Sequence, residues 1–350
     1  MQPLSAPGTV AHPAQVCPMD TLLDGALVWD NHTCMPLRPH DERFLPQLER
    51  FRKSGVDVVS INVGFGEQGI EQHVRMLAHF RRWLLAHPDD FLLVQDVSDI
   101  DRAKAGGRLG VVFDVEGANA IEDQLSMVQL YYDLGVRWMS IAYNLNNRAG
   151  GGCMDDDCGL TPFGERTIAE MNRCGMVVCC SHTGARTVMD AIDASRDPVI
   201  FSHSNPRALH DHPRNITDDL IRACAAKGGV VCINGVGVFL GRNDARSETV
   251  ARNVDYVART AGIDHVGIGL DFVFDNAELL DYLKTNPALF GGDDNYDCAF
   301  AAPEQLPEIA SCLHTMGYNK DDLKRIFGGN LLRIARSVWK PYPAPMIPAG

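Results

Sequence analysis

Five short apolar runs in this chain each end on a polar residue. They are Ala26–His32 (followed by Thr33 and Cys34), Gly110–Glu116, Met176–His182, Val199–His203 and Val266–Asp271. A continuous apolar run of this length predicts a strand buried on both faces, as in a parallel sheet. Val56–Val63, Arg137–Tyr143 and Val230–Val236 predict further strands. Between them, helical spacing of apolar positions recurs over Ile70–Leu85, Ala120–Leu134, Arg166–Arg173, Thr187–Ala194, Thr217–Lys227 and Ser247–Ala261. Gly228 and Gly229 follow the fifth of these as a helix stop. Strand–helix alternation with right-handed crossovers predicts an α/β fold, a (β/α)8 TIM-like barrel. Such barrels build their sites at the C-terminal ends of the strands, which is where the polar residues fall.

The Pro-rich residues 1–20 predict an N-terminal arm, residues 21–340 a single barrel domain, and residues 341–350 a C-terminal tail. Two long segments rich in Gly and Asp, Asn144–Pro162 and Phe272–Pro303, are expected as pocket-forming loops. One of them holds Cys153-Met-Asp-Asp-Asp-Cys158, whose spacing fits no common zinc motif and which is expected as an acidic, mobile substrate loop. Asn319–Trp339 is expected to be helical, with Gly328 and Gly329 allowing close packing near the barrel floor.

Composition narrows the classes. The chain has 350 residues, 45% of them hydrophobic, enough for one large barrel. A net charge of −13 argues against nucleic acid or an anionic membrane as partner. The first residues lack a basic start and an apolar core, and no stretch approaches the ~20 apolar residues of a membrane helix. Eleven cysteines, most of them within apolar runs or helices, predict reduced thiols and a cytoplasmic protein.

His32 and Cys34, two apart at a strand end, share one face, and imidazole and thiolate are both zinc ligands. Alone, His-x-Cys is a weak signal, and the pair reads rather as a buried His beside a buried Cys. Glu116 is either a cap for the following turn or a carboxylate able to bridge two metals. His182 and His203 end successive strands and would stand side by side at the barrel mouth, a metal-binding arrangement. Asp271 reads as a turn residue or as an acid/base beside a metal. The pattern as a whole predicts a metal-dependent hydrolase.

These residues resemble the renal (membrane) dipeptidase family of zinc metallopeptidases, within the amidohydrolase superfamily. The most specific stretches are NRCGMVVCCSHTG at 172–184 and PVIFSHSNPRALHDHPRN at 198–215. FDVEGAN at 113–119, LGVRWMSIAYN at 134–144, VGIGLDF at 266–272 and GYNKDDLKRIFGGNLLRI at 317–334 also match. The resemblance implies one or two zinc ions. If there are two, Glu116 bridges them, with His32 and Cys34 on one and His182 and His203 on the other. It implies that Asp271 handles the proton of the attacking water and leaving amine, and that Arg214 binds the substrate carboxylate. Without the family, Arg214 reads as a loop arginine paired with Asp211 or Asp218. The implied activity is cleavage of the amide bond of a dipeptide or similar small carboxylated amide by a metal-bound hydroxide. Family members are often dimers, so a homodimer is possible.

Three positions depart from the family. Cys34 stands where Asp is usual, and Tyr143 where a His polarises the scissile carbonyl; a phenol can donate a comparable hydrogen bond to substrate. Cys179 stands where an Asp commonly supports the metal site. The departures keep two alternatives open: a related metallohydrolase acting on another amide, carbon–nitrogen or ester bond, and a catalytically decayed binding protein.

Overall fold

The computed structural model describes residues 22–287 and 298–341. The expected arm over 1–20 and all of the expected tail after Pro341 lie outside the described residues. Eight parallel strands form the barrel: β1 (Trp29–Cys34), β2 (Val58–Phe65), β4 (Leu109–Glu116), β5 (Val136–Ser140), β6 (Val177–Cys179), β7 (Val199–Phe201), β8 (Val230–Ile233) and β9 (Val266–Ile268). They pair in that order, and Asp30 of β1 meets Ile268 of β9 to close the ring. Two short strands lie off it: β3 (Phe91–Leu93) on β4 and β10 (Phe272–Val273) on β1.

Helices cover the outside: α1 (Ile70–Ala86), α2 (Val97–Ala105), α3 (Ser126–Asp133), α4 (Pro162–Cys174), α5 (Ala185–Ala194), α6 (Asp218–Ala226) and α7 (Ser247–Ala261). The period-two alternation of a strand decides what each residue faces. In β4, Val111, Phe113 and Val115 join the large helix-facing cluster, whereas Val112 joins Trp138, Cys179, Ile200 and Cys232 in a second, inner one. Asp114 and Glu116 continue the inner face of Val112 and so point toward the barrel axis.

Beyond β9 the chain adds α8 (Asn276–Thr285), α9 (Leu306–Thr315) and α10 (Asn330–Val338). Residues 288–297 of the expected loop Phe272–Pro303 lie outside the described residues; the rest lines the cleft as expected, but carries a helix. Asp275 accepts from the amides of Ala277 and Glu278 and starts α8, which carries apolar residues into the cleft. Helix α10 puts Leu331, Ile334, Ala335 and Val338 into the inner cluster. Asn330 donates to the carbonyl of Val266 and Arg333 to that of Gly228, at strand beginnings, so this helix closes the floor. A Cβ on Gly328 would lie 2.4 Å from the carbonyl oxygen of Leu27, which explains the glycine at that contact.

The 153–158 loop is tied down. Asp157 accepts from the amides of Arg186 and Thr187 and from the Thr187 hydroxyl, capping α5 from a distance of about thirty residues along the chain. The N-cap of α5 is Gly184, and a Cβ there would lie 2.4 Å from Asp157. No described helix is long and apolar enough to cross a membrane.

Candidate metal centre

Every sequence-predicted site residue lies at the same end of the barrel. Cys34 and Glu116 are the last residues of β1 and β4; His182, His203 and Asp271 follow β6, β7 and β9, and Tyr143 follows β5. Three of the residues here have left-handed backbone: His182 at φ 65°, Asp271 at φ 58° and Asn144 at φ 58°. Non-glycine residues at such angles are strained, and strain of this kind collects at functional sites.

The three histidines share one arrangement. Each ring has its Nδ1 engaged: His32 by Asp114 at 3.2 Å, His182 by Asn144 Oδ1 at 2.7 Å and His203 by Ser202 Oγ at 2.8 Å. That leaves the Nε2 atoms to converge. His182 and His203 bring theirs within 2.9 Å of each other, and Glu116 Oε1 lies 3.0 and 3.2 Å from them. His32 Nε2 is 3.7 Å from Glu116 Oε2 and 3.5 Å from Asp271 Oδ1. Cys34 Sγ is 3.6 Å from His32 Nε2 and donates to Asp271 Oδ1 at 3.3 Å. Asn234 holds the other Asp271 oxygen at 2.9 Å.

Electrostatics support this geometry. Burial pushes His182 and His203 well below the ordinary imidazole value, with Arg214 adding to the effect in both, so their rings are neutral and carry lone pairs. Burial also opposes the charge of Glu116, but His32, His182 and Arg214 hold it below the usual carboxylate range. Burial pulls His32 down, yet Asp114, Glu116 and Cys34 together hold it well above its ordinary value. Burial and Glu116 push the Tyr143 phenol well up, so it remains a proton donor.

The donor set fits a metal ion. The Nδ1–H of His182 donates to Asn144, so its Nε2 carries a lone pair facing another buried imidazole nitrogen. Glu116 Oε1, buried beside both, has no hydrogen-bond partner. His182 Nε2, His203 Nε2 and Glu116 Oε1 thus converge on one point, an arrangement that a cation between them would satisfy. Two sets of ligand atoms lie within 4.8 Å of one another, His32 with Cys34 and Asp271 and His32 with Glu116 and His203, and His32, with Nδ1 on Asp114, can serve only one of them at a time. Imidazole, thiolate and carboxylate are zinc ligands.

Arg214 is buried beside this cluster. Its guanidinium lies 3.0 Å from His182 Nε2 and 5.4 Å from the Phe239 ring centre, and its Nε has no partner. The pairing with Asp211 or Asp218 is not found: Asp211 bonds Arg207, and Asp218 bonds Arg222 and Tyr256. Tyr143 stacks on His182 at 4.1 Å and opens onto a cleft of 280 Å³ that also reaches Cys34, Glu116, Asp271 and Arg214. Cys179, in place of an acid, donates to Ser202, which meets His203 Nδ1, so a hydroxyl supports this ring.

Sequence reading missed the Nδ1 partners. Asp114 was within reach, because it lies two residues before Glu116 on the same strand face. Asn144 adjoins Tyr143 and Ser202 adjoins His203, but neighbouring polar residues carry no signal of which ring they touch.

The membrane dipeptidase family (peptidase family M19) matches this chain over residues 40–287, which leaves His32 and Cys34 just upstream. Over 201 residues, 55% of this chain and 48% of the relative, it is 34% identical to an uncharacterized dipeptidase of Schizosaccharomyces pombe. Over 279 residues, 77% of this chain and 60% of the relative, it is 30% identical to dipeptidase aclJ of Aspergillus oryzae. The chain thus spans less than two thirds of either relative. The crystal structure of an amidohydrolase from Pseudomonas aeruginosa superposes with a TM-score of 0.85 at 27% identity, covering 92% of this chain and 99% of that one.

Proposed function

Because this chain belongs to the membrane dipeptidase family of peptidases, we propose that it is a zinc-dependent hydrolase cleaving dipeptides or similar small amides with a free carboxylate. One observation carries the reading: the Nε2 atoms of His182 and His203, each ring engaged through Nδ1, meet an unpartnered buried oxygen of Glu116 at the mouth of the barrel, with His32 Nε2 3.7 Å from the other oxygen. Metal-ligating histidines are held this way by the partner of their other nitrogen. His32, Cys34, Glu116, His182 and His203 would be the ligands, with Glu116 between the ions if two bind.

A zinc ion held by these residues would supply Lewis acidity toward the carbonyl and toward a water at near-neutral pH. The protein's part is orientation and proton movement. Arg214 offers a guanidinium fork to the substrate's terminal carboxylate, where two parallel charge-assisted bonds fix its direction. Tyr143 donates its phenol proton toward the carbonyl oxygen as negative charge develops there. Asp271, steadied by Asn234, passes a proton to the leaving amine. The apolar residues of the cleft exclude bulk water from these contacts. A cytoplasmic location is part of the proposal, in keeping with the free thiols of the described cysteines.

The test is amine release from a dipeptide panel by zinc-loaded protein, repeated after chelation and after zinc is restored. Activity that follows the metal is expected. Metal-replete protein that cleaves no dipeptide would overturn the reading. Cys34 and Tyr143, which replace the family's usual Asp and His, favour a second reading: hydrolysis of another carboxylated amide or ester. N-acyl amino acids and esters in the same panel separate the two.

A further inference from the structure

The cleft above the metal centre has two apolar walls, and they stand in different relations to Arg214. On one side Phe239 lies beneath the Arg214 guanidinium, at 5.4 Å, and shares the cleft with Val236 and Phe300. In the second wall, Phe65 packs edge-on against Tyr282 of α8 at 5.0 Å and at a tilt against Tyr143 at 5.1 Å, and Leu279 also lines the cleft. Tyr143 in turn stacks on His182, so this second wall adjoins the metal centre. The carboxylates on the cleft from α8, Asp275 and Glu278, both accept from Arg38, at 2.8 and 2.7 Å. They are already paired, and a charged substrate group would have to displace Arg38 to use them.

We infer, building on the peptidase reading, that the cleft selects substrates with uncharged apolar side chains on both residues. Phe239, Val236 and Phe300 receive the C-terminal side chain, and Phe65, Leu279 and Tyr282 the N-terminal one. The assignment follows from the anchor. A carboxylate held by Arg214 places its own residue over Phe239, because the guanidinium lies on that ring. The residue across the scissile bond then falls beside Tyr143 and the Phe65–Tyr282 pair. Concave apolar surface with a few convergent polar groups is the usual form of a selective small-molecule site. An apolar pocket discriminates by about 10–200-fold per methylene-sized difference. Arg38 joins α8 to the segment after β1.

The experiment uses the full zinc-loaded chain. It compares kcat/KM for Leu-Leu, Gly-Leu, Leu-Gly, Asp-Leu and Leu-Asp, and affinities for the phosphinate analogues of Leu-Leu, Gly-Leu and Leu-Gly by calorimetry. Leu-Leu is expected to lead each glycine or aspartate peptide by about tenfold or more. Phe239→Ala should bring the Leu-Leu to Leu-Gly ratio toward one and spare the Leu-Leu to Gly-Leu ratio. Leu279→Ala should do the reverse, and Phe239→Leu should retain the selectivity if loss in the alanine variant is a pocket effect. Flat ratios, a preference for aspartate, or two alanine variants acting alike on both positions would overturn the inference. If no dipeptide is cleaved, the peptidase reading fails, and the phosphinate affinities still decide the two subsites: a Leu-Leu preference sustains them and equal binding removes them.

Discussion

His32 and Asp114 are joined inside the barrel, Nδ1 to carboxylate oxygen at 3.2 Å, with both residues fully buried. Asp114 fixes the ring so that Nε2 faces the metal centre, and its charge raises the basicity of the imidazole. Asp114→Asn keeps the shape and an acceptor oxygen but removes the charge. Zinc affinity, read by competition with a chromophoric chelator, is expected to fall about 10–100-fold. An unchanged affinity would remove Asp114 from the metal-supporting shell.

Cys34 tests which atoms meet the ion. Burial and Asp271 raise its thiol, and a bound metal would reverse that by stabilising thiolate. Cobalt-substituted protein is expected to show a thiolate-to-metal charge-transfer band that Cys34→Asp abolishes while retaining cobalt. A spectrum identical in the two proteins would show that the sulfur is not coordinated.

Arg214 offers a separate test through substrate. Lys retains the charge but not the bidentate fork, and a charged hydrogen bond contributes about 1.5–3 kcal/mol. Arg214→Lys is expected to lower kcat/KM for dipeptides by about 10–100-fold, from the same figure. The loss should shrink on dipeptide amides, which lack the carboxylate. An equal loss on both substrates would mean that Arg214 acts through His182 rather than on the carboxylate.

Asp157 bears on stability rather than chemistry. It caps α5 in place of the side chain that Gly184 lacks, and Asp157→Ala is expected to cost about 1–2 kcal/mol at neutral pH. Burial opposes the Asp157 charge, but the bonds from Thr187, Gly159 and Arg186 hold its carboxyl below the usual range. A group with a lowered folded-state pKa contributes its stability above the unfolded value, about 3.9, and loses it as pH falls through the folded one. Urea unfolding should therefore show a gap between wild type and variant at pH 7 that closes in acid. A gap independent of pH would point to lost packing instead of the cap.

The barrel was legible because its signal is local. The runs at Gly110–Glu116 and Val199–His203 announce buried strands by composition alone, and their polar last residues stand at the mouth because strand direction is common to all eight. The helix at Asn276–Thr285 was hidden by the Gly- and Asp-rich stretch around it, although Asp275 and the leucines of NAELLDYLKT were there to be read. The 153–158 stretch reads as an acidic, mobile substrate loop because the contact that anchors it lies with α5, out of reach of any local pattern.

The chain's own order of residues was enough to name the ligand types and the strand ends that carry them, since period-two alternation and apolar runs are properties of neighbouring positions. Which nitrogen of each ring faces inward is a different kind of fact. It depends on Asp114, 82 residues from His32, and on Asn144, 38 residues from His182. The same holds for Arg214 over Phe239 and for the pairing of Arg38 with α8. Those relations arise only when barrel closure brings distant strand ends and loops together, and there packing and hydrogen-bond satisfaction choose the partner.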